Sequence, residues 1–355
     1  MRNPYSGKPD YAFWQQSVAD VGVDAVDPVV RAPFTIGRKD AIATAGSCFA
    51  QHIARTLASS GFNYFVTEQA PLTAGALDEG YGLFSARFGN LYTVRQLLQL
   101  FDRAYGLFEP KDIAWRDRRS DSFVDPFRPN IQAGGFATID DLEADREAHL
   151  AAVRRMFEEC HIFIFTLGLT EGWASKSDGA VFPLAPGVGG IPSGEASDYK
   201  PVNFKVGSMV ADMTAFLEKL RTVNPAVKVI LTVSPVPLIA TFEDRHVVVS
   251  TAASKAALRV VADEVAEAFD FVSYFPSYEI VTAHYNSDAF EADQRSVRPS
   301  TVAKVMGLFE RHYLTGQGRT APLQEQKEVA LSEADLQRFQ QVDGIVCDEE
   351  EIVRA

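Results

Sequence analysis

Three short stretches carry residues whose types and spacing suit acyl chemistry. In Ala45-Gly46-Ser47-Cys48-Phe49-Ala50 a hydroxyl and a thiol follow a glycine, and Phe49, Ile53 and Leu57 then recur at spacing four, the mark of a helix. The first turn of such a helix offers free N–H groups and the positive end of the helix dipole. Both favour a thiolate at Cys48 over a thiol, and the same N–H groups can hold an oxyanion. Gly46 permits the tight turn that brings backbone close to a reacting group. The plainer alternative makes Ser47 a helix N-cap and Cys48 an inert buried thiol. Whether Ser47 or Cys48 is the nucleophile stays open at this level.

Gly89-Asn90, just before a helical pattern opening at Thr93, supplies an N–H and a side-chain amide for a carbonyl oxygen, or else forms an ordinary capped turn. Gly168-Leu169-Thr170-Glu171 follows an apolar run and adds a hydroxyl and a carboxylate, with Trp173 as a wall. Ser234, Tyr278 and Glu279 follow two further apolar runs. For a general base the candidates are His52, four residues beyond Cys48 and on its helical face, His246, His284 and Asp293. Each of these also has an ordinary reading as a capping, packed or solvated side chain.

The elements that must position these residues alternate. Apolar runs at 41–45, 62–66, 161–166, 228–233 and 269–274 read as buried parallel strands. Helical patterns cover 48–57, 93–104, 141–157, 209–220 and 254–269. Alternation of this kind predicts an α/β fold, a doubly wound parallel sheet of about five strands with its first strand, ending at Gly46, in the middle. Ligands of such sheets bind beyond the carboxyl ends of the strands, where the candidate residues fall. An N-terminal extension (1–34) precedes the main domain (35–314), which carries an insertion over about 71–139. A Gly- and Pro-rich stretch, 183–204, reads as a long loop. The remainder, 315–355, holds a helical pattern at 331–342 and an acidic end at 348–351 that is expected to be mobile.

The 355 residues are 46% hydrophobic and 23% charged, enough apolar content for a large core. A formal charge of −13, without a Lys/Arg cluster, argues against nucleic-acid partners. The polar opening residues and the lack of a long apolar run argue against a leader or a membrane span. Cys48, Cys160 and Cys347 are too far apart for a zinc site or a disulfide framework, so no metal and a reducing, cytoplasmic setting are expected.

The string Gly46-Ser47-Cys48-Phe49-Ala50 resembles the signature of the GSCFA family, which is similar to the SGNH, or GDSL-like, hydrolase superfamily. The likeness continues through Arg87 to Thr93, Trp115, Asp125-Pro126-Phe127-Arg128-Pro129, Thr166 to Glu171, Thr232 to Leu238, Ser254-Lys255, Leu258-Arg259 and Tyr274 to Ile280. It implies a flavodoxin-like three-layer α/β/α fold. It also implies roles: Cys48 at the nucleophile, with Gly89, Asn90 and Thr170 as counterparts of the oxyanion-hole residues. Gly46, Gly168, Glu171, Ser234, Tyr278 and Glu279 would line the substrate crevice. In the last block Asp293-Gln294-Arg295-Ser296 has Ser296 where the superfamily has its histidine, so the usual base is replaced or lost. The activity implied is an acyl-ester hydrolase acting on an acylated carbohydrate or similar small ester, without a cofactor. Two alternatives are an O-acyltransferase for glycoconjugates, with acyl-CoA as a possible co-substrate, and a carbohydrate- or acyl-binding module without turnover.

Overall fold

The computed structural model describes residues 3–69, 80–117, 120–188, 198–315 and 348–354. In chain order the strands are β1 (Ile42–Gly46), β2 (Trp115–Arg116), β3 (Phe123–Val124), β4 (Ile162–Leu167), β5 (Glu171–Ser175), β6 (Val181–Phe182), β7 (Tyr199–Asn203), β8 (Lys228–Val233) and β9 (Val272–Tyr274). The helices that matter here are α1 (Ala50–Ser59), α2 (Val94–Ala104), α3 (Ile139–Glu159), α4 (Val206–Val223), α5 (Val247–Ala268), α6 (Ser277–Thr282) and α7 (Pro299–Tyr313).

Four of the five expected strands form one parallel sheet in the order β1-β4-β8-β9. The stretch expected as the second strand, 62–66, meets β1 only at a parallel bridge between Ile42 and Tyr64. Pairing stops there because Ser85, from the insertion, takes the next place: its Oγ accepts from the Thr44 N–H at 3.0 Å, and its carbonyl accepts from the Thr67 N–H at 2.7 Å. Consequently β1 does not lie in the middle of the sheet as expected; β4 and β8 do. With the bridged segment counted, the order is still that of a doubly wound flavodoxin-like sheet, reversing between β1 and β4.

Side-chain alternation builds three layers. Ala43, Ala45, Phe163, Phe165, Leu167, Val229 and Leu231 face a core shared with α2, α3, α4 and α5. Their neighbours Ile42, Ile162, Ile164 and Ile230 face a second core shared with α1, α6 and α7. Strands buried on both faces need apolar residues at every position, which is why the runs were continuous rather than alternating.

Helix limits follow local chemistry. Thr93 caps α2 in a reciprocal box with Gln96. The next-to-last large helix, α5, starts two turns earlier than its periodicity indicated, capped by His246 before the β-branched run Val247-Val248-Val249. Pro299 opens α7, a helix with no counterpart among the helical patterns expected from the sequence. The stretch read as a loop at 183–204 is partly strand: β7 pairs antiparallel with β5, and β6 pairs on the other side. Pro201 misled there, because β7 is an edge strand and can carry a proline.

Within the insertion, charged side chains are buried as a network against α3. Arg87 and Arg128 each reach Asp145 at 2.8 Å, Arg128 also holds Asp125, and Glu68 accepts from the Arg87 N–H while its carboxylate meets His149 Nδ1 at 2.7 Å. At the domain's edge Ile36 bridges Leu314 in parallel, its N–H bound to the Tyr313 carbonyl at 2.7 Å and its carbonyl to the Thr315 N–H at 3.0 Å. The N-terminal extension packs on α7, where Asp27 accepts from His312 at 2.8 Å. Among the described residues no helix is long and apolar enough to cross a membrane.

Candidate active site

Gly46 pairs with Thr166 where β1 and β4 end side by side, and this is the point at which the strand order reverses. Gly46 adopts φ +136°, and a Cβ there would stand 2.4 Å from the Thr166 carbonyl oxygen. Only glycine fits that crossing. The Ser47 N–H then binds the Thr166 carbonyl at 3.1 Å, and residues 47–50 make one tight turn into α1, the Ala50 N–H returning to the Ser47 carbonyl at 2.8 Å. Helix α1 thus starts two residues after Cys48, rather than at it.

The other two stretches are bonded to this turn. The Leu91 N–H donates to the Gly46 carbonyl at 2.8 Å, and the N–H groups of Gly168 and Leu169 both donate to the Tyr92 carbonyl, at 3.1 and 2.9 Å. Gly89 has φ +71°, a left-handed turn that places Asn90 beside Gln51 of α1, whose amide donates to the Asn90 side-chain Oδ1 at 3.4 Å. Gly46, Ser47, Cys48, Gly89, Asn90 and Gly168 are therefore gathered in one crevice. Ser47 and Cys48 are both buried, and the Ser47 Oγ has no hydrogen-bond partner among the described residues.

The remaining expected site residues do other work. The Thr170 N–H and hydroxyl both meet Ser254 Oγ at 3.1 Å, fixing α5 to the end of β4. Glu171 accepts from the Thr241 hydroxyl at 2.7 Å and so pins the loop after β8. Ser234 binds Leu167 through its N–H, and its Oγ accepts from the Val236 N–H. Tyr278 packs on the first core, while Glu279 is held by Arg259 and by the Tyr274 hydroxyl, both at 2.7 Å. Asp293 lies on an exposed turn and accepts from Ser296 Oγ at 2.6 Å, so this Asp-x-x-Ser block does not bring its own ends into the crevice.

Among the described residues, none of the six histidines has its hydrogen-bonding or stacking partners in the crevice. His246 is exposed and caps α5. His284 stacks on Trp14, His52 leans on Phe49, His149 lies in the insertion network, His161 is at the opposite end of β4, and His312 binds Asp27. The group that does stand at the crevice is Lys255. It is buried at 1% exposure on α5 and donates to the Gly168 carbonyl at 2.7 Å. Burial lowers its pKa to about 8, opposed by the negative charges of Glu349 and Cys48, with Arg295 adding to the lowering. Its acceptor, Gly168, packs against Ser47, so the ammonium stands at the strand end that carries the Ser47-Cys48 turn.

Lys255 had a signal in the sequence. It falls on the apolar stripe of α5, three residues before Leu258 and followed by Val261, Ala262 and Val265, and a lysine on the buried stripe of a helix calls for a partner.

Arg295, inside the Asp293–Ser296 block, also enters the crevice. Its Nε binds the Pro237 carbonyl at 3.3 Å, and its guanidinium binds Glu349 at 2.8 Å. Asp348 and Glu349 themselves correct the expectation of a mobile acidic end, for both are buried, at 5% and 6% exposure. Asp348 accepts from Asn90 at 2.9 Å and Asn130 at 2.7 Å, and its N–H donates to the Tyr92 hydroxyl. A cavity of about 230 Å³ adjoins them, lined by Phe88, Asn90, Phe127, Arg128, Ile131 and Asp348. The expected helix at 331–342 and Cys347 lie outside the described residues. No cluster of potential metal ligands occurs among the described residues.

The chain belongs to the GSCFA family, which matches it over residues 41–309 of 355. The match takes in the whole parallel sheet and every crevice residue except the acidic pair at 348–349. Among solved structures it is similar to a Streptococcus pneumonia protein provisionally described as a platelet activating factor: 12% identity, TM-score 0.27, 48% of this chain and 66% of that one. The alignment therefore spans just under two thirds of that protein's length. It is also similar to a carbohydrate esterase family 3 protein from Talaromyces cellulolyticus, with 14% identity, TM-score 0.26, and 62% and 88% coverage. Comparison with curated proteins gives no significant match.

Proposed function

We propose that this chain is a thiol-dependent acyl-ester hydrolase or acyltransferase whose substrate is an acylated carbohydrate or a similar small ester. The observation that carries the reading is the buried Lys255 ammonium held on the Gly168 carbonyl at the end of β4, with Gly168 packed against Ser47 in the turn after β1 that carries Cys48. In this family member the lysine takes the place of the histidine that Ser296 does not supply.

The steps follow from that pair. The Cys48 thiolate, held opposite Lys255, attacks the ester carbonyl carbon, and the oxyanion is met by the Gly89 N–H and the Asn90 amide. The carbon–oxygen bond of the ester breaks, and the departing alkoxide takes a proton from Lys255. The amine so formed, close to neutrality in its proton affinity, then accepts a proton from an incoming water or sugar hydroxyl, whose oxygen attacks the thioester. Loss of the carbon–sulfur bond restores thiolate and ammonium. An acyl-CoA enters the same scheme as a thioester donor, with the CoA thiol as leaving group. A reducing compartment such as the cytoplasm keeps Cys48 available.

Rapid mixing with p-nitrophenyl acetate tests the scheme. The expected result is a burst of about one equivalent of nitrophenol with a matching acetyl adduct on Cys48, followed by turnover that sugar alcohols accelerate. Cys48→Ala removes the burst. Absence of burst and adduct with both esters and thioesters overturns catalysis and leaves the binding-module reading, for which the crevice is a ligand site alone.

A further inference from the structure

The acidic pair Asp348-Glu349 enters the same crevice from a part of the chain far beyond the last helix of the domain. Its carboxylates are met individually. Each oxygen of Asp348 takes one amide, Asn130 on one and Asn90 on the other. Glu349 takes the Arg295 guanidinium, itself held by the Pro237 carbonyl, and lies within electrostatic reach of Lys255. Asn90 and Lys255 are buried, at 2% and 1% exposure. Donors buried to that degree are costly without an acceptor. The adjoining cavity is lined by Arg128, whose guanidinium is held by Asp125 and Asp145. The crevice therefore offers two amides and two cations to an occupant with more than one carboxylate.

We propose that this crevice recognises a carboxylate-bearing glycan and that Asp348-Glu349 occupies the carboxylate subsites in cis as an internal competitor. The proposal rests on the crevice being the functional site and gives the substrate class of that site. It does not require the thiol chemistry. The structure then represents the self-occupied state, with Cys48 buried at 3% exposure.

The test uses the full chain and its D348N/E349Q variant, and follows alkylation of Cys48 by iodoacetamide with peptide mapping. The variant is expected to react at least tenfold faster. A synthetic peptide covering residues 345–354 should restore protection in trans, whereas the same peptide with both acids amidated should not. Trigalacturonate should bind the variant at least tenfold more tightly than the parent, and should protect Cys48 where maltotriose does not.

Equal alkylation rates in parent and variant, with no gain in trigalacturonate affinity, overturn the proposal. Protection by inorganic phosphate equal to that by trigalacturonate overturns its carboxylate class. The same samples mixed with p-nitrophenyl acetate separate the two readings. A burst that is equal in both, with equal alkylation, fails this proposal and keeps the catalytic one. Unequal alkylation without any burst does the reverse.

Discussion

Gly168 lies against Ser47 so closely that a Cβ built on it would stand 2.8 Å from the Ser47 Cβ and 3.1 Å from the Tyr92 carbonyl oxygen. The neighbours are a turn and a backbone atom, neither of which can rotate away. Gly168→Ala is therefore expected to cost about 1–3 kcal/mol of stability, the usual range for an overpacked site. The burst with p-nitrophenyl acetate should also slow at least tenfold, because the strain falls on the nucleophile turn. Urea unfolding and stopped-flow measurements check both; a wild-type burst with unchanged stability contradicts the close packing.

Cys48 and Cys160 are chemically distinct although both are buried. Cys160 precedes β4 with its sulfur 3.9 Å from the Phe157 carbonyl, and burial pushes its thiol up to about 12. Cys48 instead follows Ser47, against which Gly168, the acceptor of the Lys255 ammonium, is packed. Substoichiometric iodoacetamide at pH 6.5 should label Cys48 well before Cys160, by at least tenfold in rate. Peptide mapping that finds Cys160 labelled first would sink the assignment of Cys48 as the nucleophile.

Lys255 can be split into its two roles. Arginine keeps a positive charge opposite the thiolate but does not release a proton near neutrality. Lys255→Arg is expected to retain an acylation burst while steady turnover falls at least a hundredfold, so the acyl-enzyme accumulates. Lys255→Met should lose both. Intact-mass spectra taken seconds after mixing read the difference, and a Lys255→Arg protein that turns over normally removes the lysine from proton transfer.

Two histidines, His149 fully buried and His52 partly buried, make the fold acid-sensitive. Burial, then the Arg128 charge, holds His149 down to about 4 against the opposing effect of Glu68; burial, then Arg55, does the same to His52. Both are neutral in the folded chain at pH 7. Unfolding lets them protonate near the ordinary 6.5, so between pH 6.5 and 4 the unfolded state binds more protons. Their stabilisation is complete above about pH 6.5 and is lost as the pH falls toward 4, by roughly 3 kcal/mol for His149 at about 1.4 kcal/mol per pH unit. The urea midpoint should drop steeply over that window, and less steeply in His149→Gln.

The sheet and its chemistry-bearing turn were legible because β-strands buried on both faces write continuous apolar runs, and the residues after them are small and polar. The same logic placed Gly46, Ser47, Cys48 and Gly168 together although 122 positions separate Gly46 from Gly168 (168 − 46), whereas Gly89 and Asn90 stood out through the helix start that follows them and the family resemblance. What could not be read was the work of side chains that reach from elsewhere. Ser85 replaces a strand partner at Thr44, so the second strand shrinks to one bridge. Thr170, Glu171 and Glu279 bond to Ser254, Thr241 and Arg259 on other elements and hold those elements in place, where strand-end placement had pointed to substrate. Arg295 sits between the two residues singled out, Asp293 and Ser296, and is the one that turns inward. The acidic end looked solvated because charge runs usually are; its partners Asn90, Asn130 and Arg295 come from three separate segments and leave no local pattern.

The Ile36–Leu314 bridge means that the chain enters and leaves the domain side by side, through two backbone hydrogen bonds. The order in which the elements are encoded is thus separable from their order in space. A few glycines joining residues 35 and 315 could close the backbone there, and new ends could be opened at an exposed turn such as the one around Asp244. Such a circular permutant would keep every strand of the sheet in register, because neither new end cuts a strand or the turn at Gly46.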